Sequence, residues 1–111
     1  MDCMCDNQDI HELKLEADIS ADPVWCDRCG CNLELEDMPI SAELKKELLE
    51  WGISYGEWID WDKDRFKDGG EQSENDHNAE GSRLLRKIQA ELPANFTIAF
   101  SPSQMAEVYQ K

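Results

Sequence analysis

A pair of cysteines in a tight turn places the strongest constraint on how this chain can fold. The Cys-Asp-Arg-Cys-Gly segment at residues 26–30 separates two thiols by two residues, and its glycine can adopt the positive φ that a sharp turn needs. On either side, residues 24–26 and 31–35 alternate in polarity, which is the period of half-buried strands. The segment is therefore predicted to be a β-hairpin whose turn offers two thiolates to one zinc ion.

The Cys-x-x-Cys-Gly element resembles the zinc knuckle of zinc-ribbon and treble-clef modules. The resemblance implies a structural metal site, because four thiolates leave the zinc no open position for a substrate. Such modules bring a second ligand pair from elsewhere in the chain. This sequence has no second Cys-x-x-Cys, and the pair that remains is an N-terminal Cys-x-Cys. The predicted zinc ligands are Cys3, Cys5, Cys26 and Cys29.

Three alternatives to this four-cysteine site stay open. A histidine, His11 or His77, could replace one of the thiolates as a ligand. The cysteines could instead be buried thiols that bind no metal, or Cys26 and Cys29 could form a redox pair. Cys31, on the strand after the turn, is predicted to be a buried thiol.

The remaining elements follow from the spacing of apolar residues. Residues 11–17 alternate as a strand, an apolar stripe with Ser41 as N-cap predicts a helix over 41–61, and a second helix is predicted over 73–92. Residues 96–100 alternate as a further strand. The order β-ββ-α-α-β predicts an α+β fold, in which a small, mostly antiparallel sheet carries two helices on one face and includes the zinc-knuckle hairpin.

A length of 111 residues predicts one domain over 1–111. Its predicted appendages are a cysteine-bearing N-terminal arm at 1–8, a flexible Gly-rich loop at 68–73, and a tail or short helix at 103–111. The chain opens without a basic segment followed by an apolar run, so no targeting signal is expected and the predicted location is the cytoplasm. The reducing cytoplasm favours metal-bound or buried thiols over disulfides.

The net charge of −14 narrows the choice of partner. Binding to nucleic acid or to an anionic membrane needs clustered Lys and Arg, and this chain has 25 acidic residues against 11 basic ones. The acids are concentrated, with 11 of them and two bases in the first 40 residues. The expected partner is therefore a basic protein, and neither nucleic acid nor membrane.

Trp61 stands off the helical stripe among three aspartates, and Trp25 precedes the cysteine turn. An aromatic side chain ringed by carboxylates suits a docking surface for a basic protein, because Trp is common among interface hot spots and carboxylates speed the encounter. Burial against the sheet is the alternative for both tryptophans. The predicted partner-binding residues are Trp25, Trp61, Asp60, Asp62 and Asp64.

Two other functions are weighed against binding. Residues 60–71 place acids at positions 1, 3, 5, 9 and 12 of an EF-hand-like loop between two predicted helices, which makes a calcium-responsive switch one alternative. Arg65 stands where such a loop needs glycine. The other alternative is a small hydrolase-like enzyme that uses His77 with nearby carboxylates, although no catalytic motif is present. The chain is predicted not to be an enzyme.

Taken as a whole, the acidic balance, the cysteine turn and the α+β order resemble small acidic bacterial proteins of unassigned function. Some of these lie beside toxin genes as immunity proteins. The resemblance implies a protein that binds and inhibits another protein. The predicted function is therefore a zinc-stabilised acidic binding protein that sequesters a basic partner, as an immunity protein or antitoxin would.

Overall fold

The computed structural model describes residues 12–19, 21–63 and 65–104. The chain forms, in order, β1 (Glu12–Leu15), β2 (Val24–Cys26), a 3-10 helix (Leu35–Asp37), α1 (Ala42–Ile53), β3 (Ile59–Asp60), β4 (Arg65–Phe66), α2 (Gly70–Glu91) and β5 (Thr97–Phe100). The predicted α+β class, with two helices and small, mostly antiparallel sheets, is confirmed. The predicted arm at 1–8 and all but the first two residues of the predicted tail lie outside the described residues.

The central strand of the larger sheet is β1. It pairs with β2 in the antiparallel direction and with β5 in the parallel direction, which gives the order β2-β1-β5. Leu13 and Leu15 alternate with polar neighbours and are buried, at 1% and 0% exposure. Because a parallel partner needs a long crossover, both helices lie in the connection between β1 and β5.

The turn after β2 forms as predicted, but the predicted second strand at residues 31–35 is wrong. The backbone N–H of Cys26 donates to the Cys31 carbonyl at 2.9 Å, and a single antiparallel bridge joins Trp25 to Asn32. The Leu33 N–H also donates to the Val24 carbonyl of β2 at 2.9 Å, and the chain then leaves the sheet. The Asp22 carboxylate accepts from the Leu35 N–H at 3.0 Å, at the start of the 3-10 helix.

Helix α1 begins as predicted and ends earlier than predicted. The Ser41 side chain caps it by accepting from the Leu44 N–H at 3.2 Å. The helix stops at Ile53 rather than near Trp61, because Gly56 adopts a φ of +86° and turns the chain toward β3. Residues 59–66 consequently form a two-stranded hairpin in place of the last predicted helical turns.

Helix α2 begins at Gly70, three residues before the predicted start, so most of the predicted loop at 68–73 is helical. Gly69, with a φ of +75°, precedes the first turn. Further along, Gly81 is buried where α1 and β5 pack on α2. A Cβ there would lie 2.5 Å from Phe100 Cζ and 2.8 Å from Trp51 Cζ2. The glycine therefore allows the helices and the sheet to meet.

One apolar core joins these elements. It contains side chains from β1, β2, the 3-10 helix, both long helices and β5: Leu13, Leu15, Val24, Cys26, Leu33, Leu35, Met38, Leu44, Leu48, Trp51, Leu84, Ile88 and Ile98. Trp51 and Trp58 are buried, at 5% and 4% exposure. Among the residues described, no helix is long and apolar enough to cross a membrane.

The close approach at Gly81 can be tested against an ordinary helical glycine. Replacing glycine by alanine inside a helix normally stabilises it by about 1 kcal/mol. We expect Gly81→Ala instead to lower the free energy of unfolding by about 1–3 kcal/mol, because the methyl group overpacks the core. Urea unfolding followed by tryptophan fluorescence measures the change.

Gly52→Ala is the matched control. A Cβ at Gly52 would contact Pro23 Cγ at 3.5 Å, an ordinary van der Waals distance. This variant should be neutral or more stable by up to about 1 kcal/mol. A Gly81→Ala variant as stable as Gly52→Ala would contradict the tight packing of α2 against Trp51 and Phe100.

Candidate protein-binding surface

Trp61 and Asp62 lie on the exposed side of the small hairpin. Trp61 is 54% exposed, although tryptophan is usually among the more buried residues. Asp60 is half-buried, and its carboxylate accepts from the backbone N–H groups of Asp62 and Lys63, both at 3.2 Å. Asp64 lies outside the described residues. Trp61 and Asp62 are therefore open to a partner, whereas the Asp60 side chain stabilises the turn that follows β3.

Trp25 has a contact within the fold. It is partly buried on β2, and its indole N–H donates to the Glu16 carbonyl at 2.8 Å. Because the donor is satisfied inside the protein, this contact ties β2 to the residue that follows β1. It gives Trp25 a structural role that does not depend on a partner.

Trp61 belongs to a larger group of exposed apolar side chains. We call this group the apolar patch, and its members are Ile19, Leu49, Ile53 and Trp61, at 52%, 47%, 70% and 54% exposure. Gly56 brings the ends of the patch together. A Cβ at Gly56 would lie 3.2 Å from Trp61 Cζ2 and 3.9 Å from Ile19 Cδ1. Exposed apolar residues grouped in this way mark interaction sites more often than scattered ones do.

Carboxylates border the apolar patch. Leu49 and Ile53, one turn apart on α1, line a groove of about 190 Å³ together with Asp18 and Asp22, and none of the described Lys and Arg residues lines it. Asp62 follows Trp61 directly in the chain. An apolar centre with an acidic border is the composition expected of a surface that binds a basic protein.

The cysteines of the predicted zinc site have different surroundings. Cys26 is 1% exposed and belongs to the apolar core, whereas Cys29 is exposed on the turn. Cys31, predicted to be buried, is only half-buried and packs against the edge of the core. Within the described part of the chain, no three His, Cys, Asp or Glu side chains converge where they could hold a metal ion. Cys3, Cys5 and His11 lie outside that part, so the zinc site stays a prediction.

The acidic segment at residues 60–71 is a β-hairpin followed by a turn and the start of α2. Its first acid, Asp60, pairs directly with Arg65 across β3 and β4. Its last acid, Glu71, lies in the first turn of α2. The predicted arrangement of a loop between two helices is wrong here, because α1 has already ended at Ile53. The calcium switch stays a prediction.

His77 is a residue of α2 and is buried where α2 packs against α1. It is 7% exposed, its Nε2 is 3.0 Å from the Trp51 carbonyl, and the two rings stack at 4.5 Å. Burial lowers the pKa of His77 below its usual value, because the charged imidazolium loses its hydration; the Trp51 carbonyl and the charges of Glu74 and Glu57 oppose this shift. The neutral ring then donates through Nε2 and has an acceptor lone pair at Nδ1.

Comparison with known proteins identifies the family. The family model described as Serratia CdiI immunity protein-like matches residues 11–103, which is most of the chain. The chain belongs to this family. A search of curated proteins found no match. The match spans both helices and all the strands, so it concerns the whole described fold rather than the cysteine turn alone.

Sequence reasoning missed three of the four members of the apolar patch. Leu49 and Ile53 are spaced four residues apart on α1 and lie off the stripe of Leu44, Leu48 and Trp51, which was a usable signal for a second apolar face. Ile19 lies in a turn, where spacing carries no such signal. Its place beside Trp61 depends on how Gly56 folds the chain back.

The buried imidazole predicts a dependence of stability on pH. The unfolded chain binds a proton at His77 with a pKa near 6.5, and the folded chain binds it only at lower pH. The contribution of neutral His77 to the free energy of unfolding should therefore be fully present above about pH 6.5. It should decrease as the pH falls toward the folded pKa, by up to about 1.4 kcal/mol for each pH unit. Urea unfolding between neutral and mildly acidic pH measures the loss.

His11 provides the control for this experiment. We expect His77→Gln to remove most of the pH dependence in this interval, and His11→Gln to retain it. Proton NMR titration of the two imidazoles reads the pKa values directly. A His77 that titrates at or above the usual value in the folded protein would contradict the prediction.

Proposed function

We propose that this protein is an immunity protein that binds a protein toxin and inhibits it through the apolar patch. Membership of the immunity protein-like family supports a toxin as the partner. The observation that carries the choice of surface is the exposure of four large apolar side chains, of which Ile19 and Trp61 meet at Gly56 and Leu49 and Ile53 line one groove. A fold this small gains solubility by covering such residues, so their exposure is best explained by a partner that buries them.

The toxin is proposed to be basic. Asp18, Asp22 and Asp62 border the apolar patch, and the chain has a net charge of −14. Carboxylates of this kind steer a basic protein toward the surface and repel a second copy of the same acidic chain. A toxin that acts on nucleic acid fits this proposal, because a surface that grips phosphates is itself basic.

Inhibition by binding accounts for these residues better than catalysis does. The histidine that an enzyme would need, His77, is buried and donates to the Trp51 carbonyl. Family membership also supports an inhibitor rather than an enzyme. We therefore propose no reaction for this chain.

The apolar patch can be tested by truncation without a change in charge. We expect Ile53→Ala and Trp61→Ala each to weaken binding to the toxin that this protein inhibits by about 2 kcal/mol or more, as hot-spot truncations do. Both side chains are exposed, so the free energy of unfolding should change by no more than about 0.5 kcal/mol. Titration calorimetry measures affinity, and rescue of growth on co-expression measures inhibition.

Gln89→Ala is the control, because Gln89 is exposed on α2 and is not a member of the apolar patch. It should bind and rescue as the unaltered chain does. Full rescue and unchanged affinity in a double Ile53→Ala, Trp61→Ala variant would rule out the apolar patch as the inhibitory surface. Failure of the unaltered chain to rescue growth from that toxin would count against the proposed function itself.

A structural zinc ion bound by Cys3, Cys5, Cys26 and Cys29 is a further proposal, and the Cys-x-x-Cys-Gly turn supports it. Cys29 gives the sharpest test because its side chain is exposed. If the chain binds no zinc, Cys29→Ser should change the free energy of unfolding by no more than about 0.5 kcal/mol. With structural zinc, the same substitution should release the ion and destabilise the fold, because metal binding and folding are coupled.

Elemental analysis of protein purified without chelator measures the zinc, and thermal unfolding measures the fold. Cys31→Ser is the control, since Cys31 is outside the proposed ligand set. One equivalent of zinc in the unaltered chain and in Cys31→Ser, but not in Cys29→Ser, is the expected result. Folded protein without zinc would overturn the proposal.

A further inference from the structure

A second acidic feature lies between the two helices, apart from the apolar patch. A groove of about 430 Å³ has five carboxylates, two serines and three aromatic side chains in its lining, and no Lys or Arg from the part of the chain that the structure describes. We call it the carboxylate groove. Its acids are Glu47, Glu50, Glu57, Asp76 and Glu80, and its aromatic floor is Trp51, Trp58 and His77.

Two of the five acids are already neutralised within the fold. Arg83 donates to Glu80 at 2.5 Å and reaches Glu47 at 3.4 Å, and Lys87 pairs with Glu47 at 2.9 Å. These contacts lower the pKa of Glu80, through the hydrogen bond from Arg83, and the pKa of Glu47, through the hydrogen bond from Lys87. Both carboxylates are therefore held in their ionised form.

The other three acids have no such cation. Glu50, Glu57 and Asp76 make no ion pair with any residue that the structure describes, and Asp76 accepts one hydrogen bond, from the Gln72 amide. Three uncompensated carboxylates along one groove raise its affinity for a cation. Acidic side chains alone do not make a site, however, and the floor of the groove provides the independent observation.

Two buried ring nitrogens on the floor have no hydrogen-bond partner among the described residues. They are Trp58 Nε1 and His77 Nδ1, on side chains that are 4% and 7% exposed. Because His77 Nε2 donates to the Trp51 carbonyl, Nδ1 is an acceptor; the indole Nε1 of Trp58 is a donor. Buried polar atoms are nearly always paired, and leaving them unpaired has a free-energy cost. A ligand that paired both atoms would have to donate to His77 Nδ1 and accept from Trp58 Nε1.

The shape of the floor further limits the ligand. The Trp51 and His77 rings stack with an interplanar angle of 10°, and the Trp58 ring lies 5.0 Å from His77. These rings cover one another and are only 5%, 4% and 7% exposed for Trp51, Trp58 and His77, so a cation reaches a ring face only when a ring moves. A flat guanidinium fits between aromatic rings, whereas an ammonium group is a compact, strongly hydrated charge. An arginine residue in a polypeptide supplies a flat cation, five N–H donors and a backbone carbonyl as acceptor.

We propose that the carboxylate groove binds an arginine side chain of the toxin. The guanidinium lies between Glu57 and Asp76 against the aromatic floor and donates to His77 Nδ1, and the backbone carbonyl of the same arginine accepts from Trp58 Nε1. Both nitrogens are covered in the unbound protein, so an aromatic ring moves as the side chain enters. This inference rests on the proposed function for its occupant, but the groove can be tested without the toxin.

The probe is N-acetyl-arginine amide, with N-acetyl-lysine amide as the comparison. In a titration followed by ¹⁵N NMR, the arginine probe should shift the Trp58 indole N–H signal and the His77 ring signals at millimolar concentrations. The lysine probe should bind about tenfold more weakly, because it cannot stack or donate in a fork. No shift with the arginine probe in the tens of millimolar, or equal shifts with both probes, would overturn the proposal.

A matched pair of double variants separates the groove from the overall charge. Glu57→Gln with Asp76→Asn removes two charges from the groove, and Glu34→Gln with Asp37→Asn removes two exposed charges elsewhere. The groove variant should weaken binding of the arginine probe by about fivefold or more, as the loss of two favourable charge pairs predicts. The control variant should bind the probe as the unaltered chain does. Equal weakening in both variants would show that the net charge of the protein, and not the groove, attracts the probe.

The toxin assay distinguishes failure of this inference from failure of the proposed function. If the chain rescues growth but the groove variant binds the toxin with unchanged affinity and salt dependence, the apolar patch stands and the arginine site is wrong. If the arginine probe binds but the toxin does not, the groove is a cation site and its proposed occupant is wrong. Weaker toxin binding by the groove variant, with the control variant unaffected, is the expected result.

Discussion

The reciprocal contact between Trp51 and His77 holds this structure together at its centre. The Trp51 indole donates to the His77 carbonyl at 2.9 Å, and His77 Nε2 returns a hydrogen bond to the Trp51 carbonyl at 3.0 Å. The first of these residues is in the last turns of α1 and the second is in the first half of α2. Two hydrogen bonds and a stacked ring pair thus hold the last turn of α1 against α2, just before Gly56 turns the chain toward β3.

Each face of α1 consequently lies against a different part of the molecule or faces solvent. Leu44, Leu48 and Trp51 face the core, and the Trp51 ring occupies the space that Gly81 leaves on α2. Leu49 and Ile53 face solvent and contribute half of the apolar patch. The carboxylate groove lies along a third face, where α1 and α2 meet. A single twelve-residue helix therefore supports the core and borders both candidate binding surfaces.

Local chemistry accounts for the parts of the fold that could be predicted. The Ser41 cap, the stripe of α1 and the alternation of β1 and β5 each depend on residues close in sequence. The end of α1 could not be predicted, because Gly56 costs a helix only about 1 kcal/mol and tertiary contacts decide the outcome. The groove was missed for the same reason: its acids come from two helices, and Trp58 and His77 meet only in the folded chain.

The ion pairs show which acidic residues of this chain, with its net charge of −14, are compensated and which are not. Arg83 and Lys87 compensate Glu47 and Glu80, while Glu50, Glu57 and Asp76 lack a cation among the described residues. Interactions of exposed carboxylates weaken as salt screens them, whereas burial of Ile53 and Trp61 does not depend on charge. Binding to a basic toxin would then have two separable contributions: the groove would set the rate of encounter and its salt dependence, and the apolar patch would set the lifetime of the complex.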